Sequence, residues 1–146
     1  MAITTNKRYS PYIDGDFVDA SELEYFTTTD PATEEALAEV SAATPEHVDQ
    51  AVQTARKALP AWQATAPTER GQIAQIIADG IRNNLDDLAT TESRDQGKPL
   101  TQARSDVEDA ARYFEYYAGA ADKLEGQSIP LGEGNLNLTT REPYGV

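Results

Sequence analysis

Between Thr44 and Gly126 the sequence carries helix starts, helical spacings and helix stops, and little else. Thr44-Pro45-Glu46 opens the block with a hydroxyl N-cap, a proline preset for the first helical position and an acid in the first turn. Val48, Ala51, Val52, Ala55, Ala58 and Leu59 then recur at helical spacing, and Pro60, Trp62 and Pro67 predict a break over residues 59–67. In the second predicted helix, Ile73, Ile76, Ile77, Gly80 and Ile81 form one stripe that reads as its core face. A shorter helix runs from Leu85 to about Gln96, stopped by Gly97 in the left-handed C-terminal position with Pro99 just beyond. The fourth spans Thr101 to Glu125, with Ala103, Val107, Ala110, Phe114, Ala118 and Ala121 inward and Gly126 as its stop.

So long a helical block leaves only short flanks for strands. Asp14-Gly15, between Tyr12 and Val18, reads as a tight hairpin turn, and the glycine accepts positive φ without a steric cost. The β-branched and aromatic run from Glu24 to Thr29 predicts a strand, Asp30-Pro31 a turn, and Ala36 to Ala43 a further strand. After Gln127, alternation at Leu136 and Leu138 predicts a hairpin or an extended arm. The expected class is α/β, with residues 1–126 as one unit and residues 127–146 as the arm. Four helices bracketed by isolated strands do not close an architecture, because buried strands need partners and open edges invite aggregation. The partners are expected in sequence that this chain lacks, and the ending at Tyr144-Gly145-Val146, without cap or polar tail, predicts a truncation.

Charge narrows the function. With 25 Asp and Glu against 12 Lys and Arg, the net charge of −13 repels nucleic acid and anionic membranes and reads as the solvated surface of a protein kept soluble in high salt. There is no cysteine, hence no disulfide, thiolate metal site or thiol nucleophile, and one histidine, His47, does not make a zinc site alone. His47 lies in a first helical turn and reads as a surface residue. No apolar run approaches the roughly 20 residues that cross a bilayer, and the N-terminal stretch has no signal-peptide core, so a soluble, cytoplasmic protein is expected.

Few residues invite chemistry. Gly97-Lys98 suggests a phosphate loop, but it follows a helix C-terminus, where the dipole opposes an anion, and Pro99 removes an N–H; Lys98 is expected to favour the last carbonyls of its helix. Leu88, Glu92 and Asp95 share one predicted inward face, and buried carboxylates need partners: Arg94, Arg104, a backbone N–H or a hard cation. Asp106 and Asp109, one turn apart and followed by Tyr113, Phe114, Tyr116 and Tyr117, read either as a solvated acidic face over an aromatic stripe or as one cleft that attracts a cationic ligand. Asn137-Leu138-Thr139 spells a glycosylation sequon, which carries no weight without a secretory signal. No serine, threonine or lysine comes with an evident activating base.

Seven segments in order, "YIDGDFV", "TDPATEEALAEV", "TPEHVDQAVQTARKALPAWQ", "ERGQIAQIIADGI", "LATTESRDQGKPL", "YYAGAADKLEG" and "REPYGV", resemble the N-terminal part of the NAD(P)-dependent aldehyde dehydrogenase superfamily, with a betaine-aldehyde or broad-range flavour. The resemblance covers essentially the whole chain. It implies a Rossmann-like subunit, incomplete here, whose N-terminal helices and edge strands are residues 1–126 and whose β oligomerisation arm begins at residues 127–146, giving a homodimer or homotetramer. It also implies oxidation of an aldehyde to a carboxylic acid with NAD or NADP. In such enzymes a cysteine attacks the aldehyde, hydride passes to the nicotinamide, a glutamate activates water, and an asparagine with a backbone N–H holds the oxyanion. None of those groups is expected within this chain, which alone should be inactive.

Residue by residue, Asp95 resembles a ligand of a structural monovalent cation, K or Na, joined by the backbone carbonyls of Thr28 and Thr29. Ser105, Asp106 and Asp109 resemble positions lining the family's substrate entrance, where two acids would suit a trimethylammonium aldehyde. Two departures touch the cation site: Asp30 replaces the family's asparagine before Pro31, and Glu34 replaces its turn glycine. The alternative is a stand-alone helical binding or oligomerisation module without catalysis.

Overall fold

The computed structural model describes residues 7–19 and 21–146, so residues 1–6 of the N-terminal stretch read for a signal peptide lie outside it. The elements in order are β1 (Arg8–Tyr9), β2 (Tyr12–Ile13), β3 (Asp16–Phe17), β4 (Tyr25–Thr29), β5 (Ala36–Ser41), α1 (Pro45–Ala64), α2 (Pro67–Asn83), α3 (Leu85–Gln96), α4 (Leu100–Ala120), β6 (Gln127–Pro130) and β7 (Leu136–Thr139). The expected α/β class holds.

β2 and β3 pair across Asp14-Gly15, both at positive φ (58° and 86°), as a tight right-twisting hairpin requires. β5 is central in a three-stranded sheet, antiparallel to β4 and parallel to β1, and a register shift interrupts β4 between Thr28 and Thr29. Two hydrogen bonds hold the turn that follows. Asp30 Oδ1 accepts the Ala32 N–H at 2.9 Å, and the Glu34 N–H bonds the Asp30 carbonyl at 2.7 Å. Glu34 occupies φ 61°, a left-handed position whose steric cost glycine avoids.

α1 departs from expectation. It passes through Pro60 to Ala64 where a break is predicted, because proline's φ is helical and its missing N–H removes one bond that the following turn outlasts. The Thr65 N–H on the Ala61 carbonyl then closes the helix at 3.1 Å. Its start is as expected, with Pro45 at the first position and the Thr44 N–H donating to His47 Nδ1 at 3.2 Å. Half-buried His47 is thus part of the cap, beyond a plain surface role. α4 stops at Ala120, short of Glu125: Gly119 weakens its last turn, and the Lys123 N–H bonds the Ala120 carbonyl in a turn.

The core is a seam of small residues among α2, α3 and α4: Ala78, Ala89, Ala103 and Ala111 are fully buried, with Val107 nearly so. Gly71 of α2 meets α4 where a Cβ would lie 2.7 Å from the Ala118 carbonyl oxygen. This corrects the predicted faces. Ile73, Ile76 and Ile77 are exposed while Ile81 packs half-buried against the core, and Ala111 replaces Ala110 and Phe114 on the inner side of α4, because close backbone approach selects the smallest side chains. Among the described residues no large side chain is fully buried. β6 and β7 form the expected antiparallel hairpin, with Ile129, Leu131, Leu136 and Leu138 exposed.

Candidate functional site

α4 presents the chemistry of the described residues. Its outer face carries a hollow of about 380 Å³ lined by Asp109, Arg112, Tyr113, Tyr116 and Tyr117. Residues at i, i+3, i+4, i+7 and i+8 share one helical face, so a single helix supplies the whole lining. Tyr116 and Tyr117 meet edge to face, their ring centres 5.2 Å apart. Arg112 Nη1 donates to Asp109 Oδ1 at 3.1 Å.

Asp109 lines this hollow, but Asp106 does not. Asp106 turns to the α3–α4 junction, accepting from Lys98 Nζ at 2.8 Å and from Gln102 Nε2 at 2.8 Å. The Lys98 bond holds its carboxyl below the usual range, with Gln102 helping. The expectation of both acids in one cleft fails because Lys98, eight residues upstream, reaches Asp106 through the helix turn. Ser105 is exposed and outside the lining. Arg112 was missed, although its i, i+3 spacing from Asp109 was a readable signal.

Lys98 also differs from expectation. Rather than capping carbonyls, its ammonium sits between Asp106 and Glu92, the latter at 2.5 Å, and these two bonds raise its pKa. Ser93 Oγ donates to the Lys98 carbonyl at 2.8 Å, fixing the same turn. A lysine held by two carboxylates carries no phosphate, as its place after a helix C-terminus foretells. The stripe Leu88, Glu92, Asp95 is not an inward face: Leu88 and Asp95 are exposed and Glu92 is half-buried against Lys98. The arginines considered for these acids go elsewhere, Arg94 to Asp30 at 3.7 Å and Arg104 to Asp86.

The end of α3 nevertheless lies against the turn that follows Thr28 and Thr29. Gly97, at φ 76°, sits where a Cβ would be 2.7 Å from Pro31 Cγ, and Arg94 reaches Asp30. The α3 terminus bearing Asp95 and the turn after the β4 bulge are thus neighbours. Among the described residues no group of three or more His, Cys, Asp or Glu side chains is placed to hold a metal. Any cation held there must draw on carbonyl oxygens. No helix among the described residues is long and apolar enough to cross a membrane.

Known structures share this fold. A protein from Burkholderia cenocepacia assigned as an aldehyde dehydrogenase is 38% identical, with a TM-score of 0.87 over 92% of this chain and 28% of its own. An aldehyde dehydrogenase variant from Bacillus cereus is 36% identical, with a TM-score of 0.85 over 91% of this chain and 28% of that one. A betaine aldehyde dehydrogenase variant from Staphylococcus aureus, solved with NAD+, is 32% identical, with a TM-score of 0.78 over 83% of this chain and 25% of that one. The chain spans little more than a quarter of the length of such relatives. The sequence profile of the aldehyde dehydrogenase family matches residues 17–146, and the chain belongs to that family.

Proposed function

We propose that this chain works as the N-terminal part of a complete aldehyde dehydrogenase subunit that oxidises an aldehyde to a carboxylic acid with NAD+ or NADP+. The observation that carries the reading is the family match over residues 17–146 together with cover of only 28% of a related chain. Exposed Ile73, Ile76, Ile77 and Leu136 support it, since so much apolar surface is what the rest of a subunit or a second subunit covers. The residues present do not fit a dinucleotide: the one Gly-Lys pair ends a helix, and its lysine is engaged by Glu92 and Asp106. Nucleophile, dinucleotide site and water-activating base are therefore assigned to the remainder of the subunit.

Within that subunit the α4 hollow at Asp109 is the substrate approach, with Ser105 and Asp106 one turn earlier along the helix. β6 and β7 are the first part of an oligomerisation arm, giving a homodimer or homotetramer. The acidic surface suits a protein working in high salt, inside the cell. A potassium or sodium ion would take the Asp95 carboxylate and the carbonyls of Thr28 and Thr29, tying α3 to the β4 bulge; such an ion is structural and has no part in the chemistry.

The reading is tested by supplying aldehydes and NAD+ or NADP+ to the complete protein and following reduced nicotinamide. Turnover is expected, and none with any aldehyde would overturn it. The cation is tested separately: in the complete protein, Asp95→Ala should abolish the difference in melting midpoint between potassium and choline chloride at equal ionic strength. A difference that survives the substitution removes Asp95 as a ligand.

A further inference from the structure

Acids in a chain of net charge −13 would be expected to favour cationic ligands, yet the α4 hollow is locally neutral. Its lining holds one carboxylate, one guanidinium and three phenol rings. Arg112 occupies Asp109 at 3.1 Å. Two other acids along this helix are paired in the same way. Lys98 takes Asp106 at 2.8 Å, and Arg82 takes Glu115 with two bonds of 3.0 and 2.8 Å. Glu108 adds its field at Arg82.

A quaternary ammonium group is recognised by ring faces working with uncompensated negative charge. Here the rings are present, but a cation drawn toward Asp109 meets the guanidinium of Arg112 at nearly the same distance. Its hydration would be exchanged for ring contact alone, with no free carboxylate to add to it. A neutral tail loses nothing by leaving water and gains ring contact.

We propose that the hollow selects aldehydes with an uncharged aromatic or branched aliphatic tail and discriminates against cationic ones, with Arg112 as the specificity determinant. The proposal rests on the aldehyde-oxidising reading above and reverses the cationic preference suggested by the acids alone.

The test uses two aldehydes of one shape, 3,3-dimethylbutanal and trimethylammonioacetaldehyde, which differ by a carbon in place of a positively charged nitrogen. With the complete enzyme, kcat/KM should favour the neutral aldehyde. Arg112→Gln, which frees Asp109, should move the ratio toward the cation by about fivefold, the scale of an exposed ion pair. Arg112→Lys keeps the charge and should hold the wild-type ratio. A wild-type preference for the cationic aldehyde, or a ratio unmoved by Arg112→Gln, overturns the proposal. Oxidation of neither aldehyde, nor of any other, falls instead on the functional reading, so the two failures are distinguishable.

Discussion

The α2–α3–α4 seam and the β6–β7 hairpin are both apolar in sequence, but they place that character oppositely. The seam buries Ala78, Ala89, Ala103 and Ala111 completely, whereas Leu136 in the hairpin is 78% exposed. Small side chains let two helical backbones approach, so the seam completes itself from within the chain. Large side chains on a two-stranded ribbon cannot cover one another and need an outside surface. Side-chain size thus separates what this chain stabilises by itself from what it offers to the remainder of an assembly.

The contrast is broken most strongly at Gly71, where a Cβ would stand 2.7 Å from the Ala118 carbonyl. Gly71→Val should force α2 from α4 and cost about 1–3 kcal/mol, read as a lower denaturation midpoint in the complete protein. A neutral result would mean that the seam is looser than its buried alanines indicate.

A smaller effect is expected at the junction of α3 and α4. Lys98→Met removes the ammonium between Glu92 and Asp106. Asp106 has a pKa lowered from 3.8, so its contribution is present above that value and is lost as pH falls through the lowered one. Lys98 has a pKa raised from 10.5, so its contribution is present below that value and is lost as pH rises through the raised one. The stability difference between wild type and Lys98→Met should therefore be flat through neutral pH and shrink at both extremes. A difference that persists undiminished at both extremes would contradict the pairing.

The smallest effect on folding is expected in the hairpin. The double change Leu136→Ser with Leu138→Ser should alter unfolding by no more than about 0.5 kcal/mol, since the side chains are exposed, while lowering the oligomeric state measured by sedimentation. Unchanged assembly would set the hairpin apart from any subunit interface.

What was legible in the sequence was local chemistry. Asp14-Gly15, Thr44-Pro45 and Gly97 act through their own backbone preferences, and each does what its residue type dictates. Choices of face were less legible. The isoleucine stripe of α2 reads as a core by hydrophobicity, but the partner that lies against α2 here is α4, which meets Gly71 and Ala78. At the candidate site, Asp109 and its aromatic neighbours follow from helical periodicity. The departure of Asp106 does not, because it depends on how the turn through Pro99 returns Lys98 onto α4. Pairings within one helix are written in spacing; pairings across a turn are written in the packing angle, which no spacing reports.

The Gly97–Pro31 contact also bears on the order in which the chain folds. The seam contact of Gly71 with Ala118 passes over α3 alone, whereas this one joins the end of α3 to the β4–β5 turn across all of α1 and α2. The longer loop carries the larger closure entropy, so this docking is expected to follow formation of the seam. A contact made late is absent from the transition state, so a side chain introduced at Gly97 should act mainly by hastening unfolding and leave the rate of folding little changed.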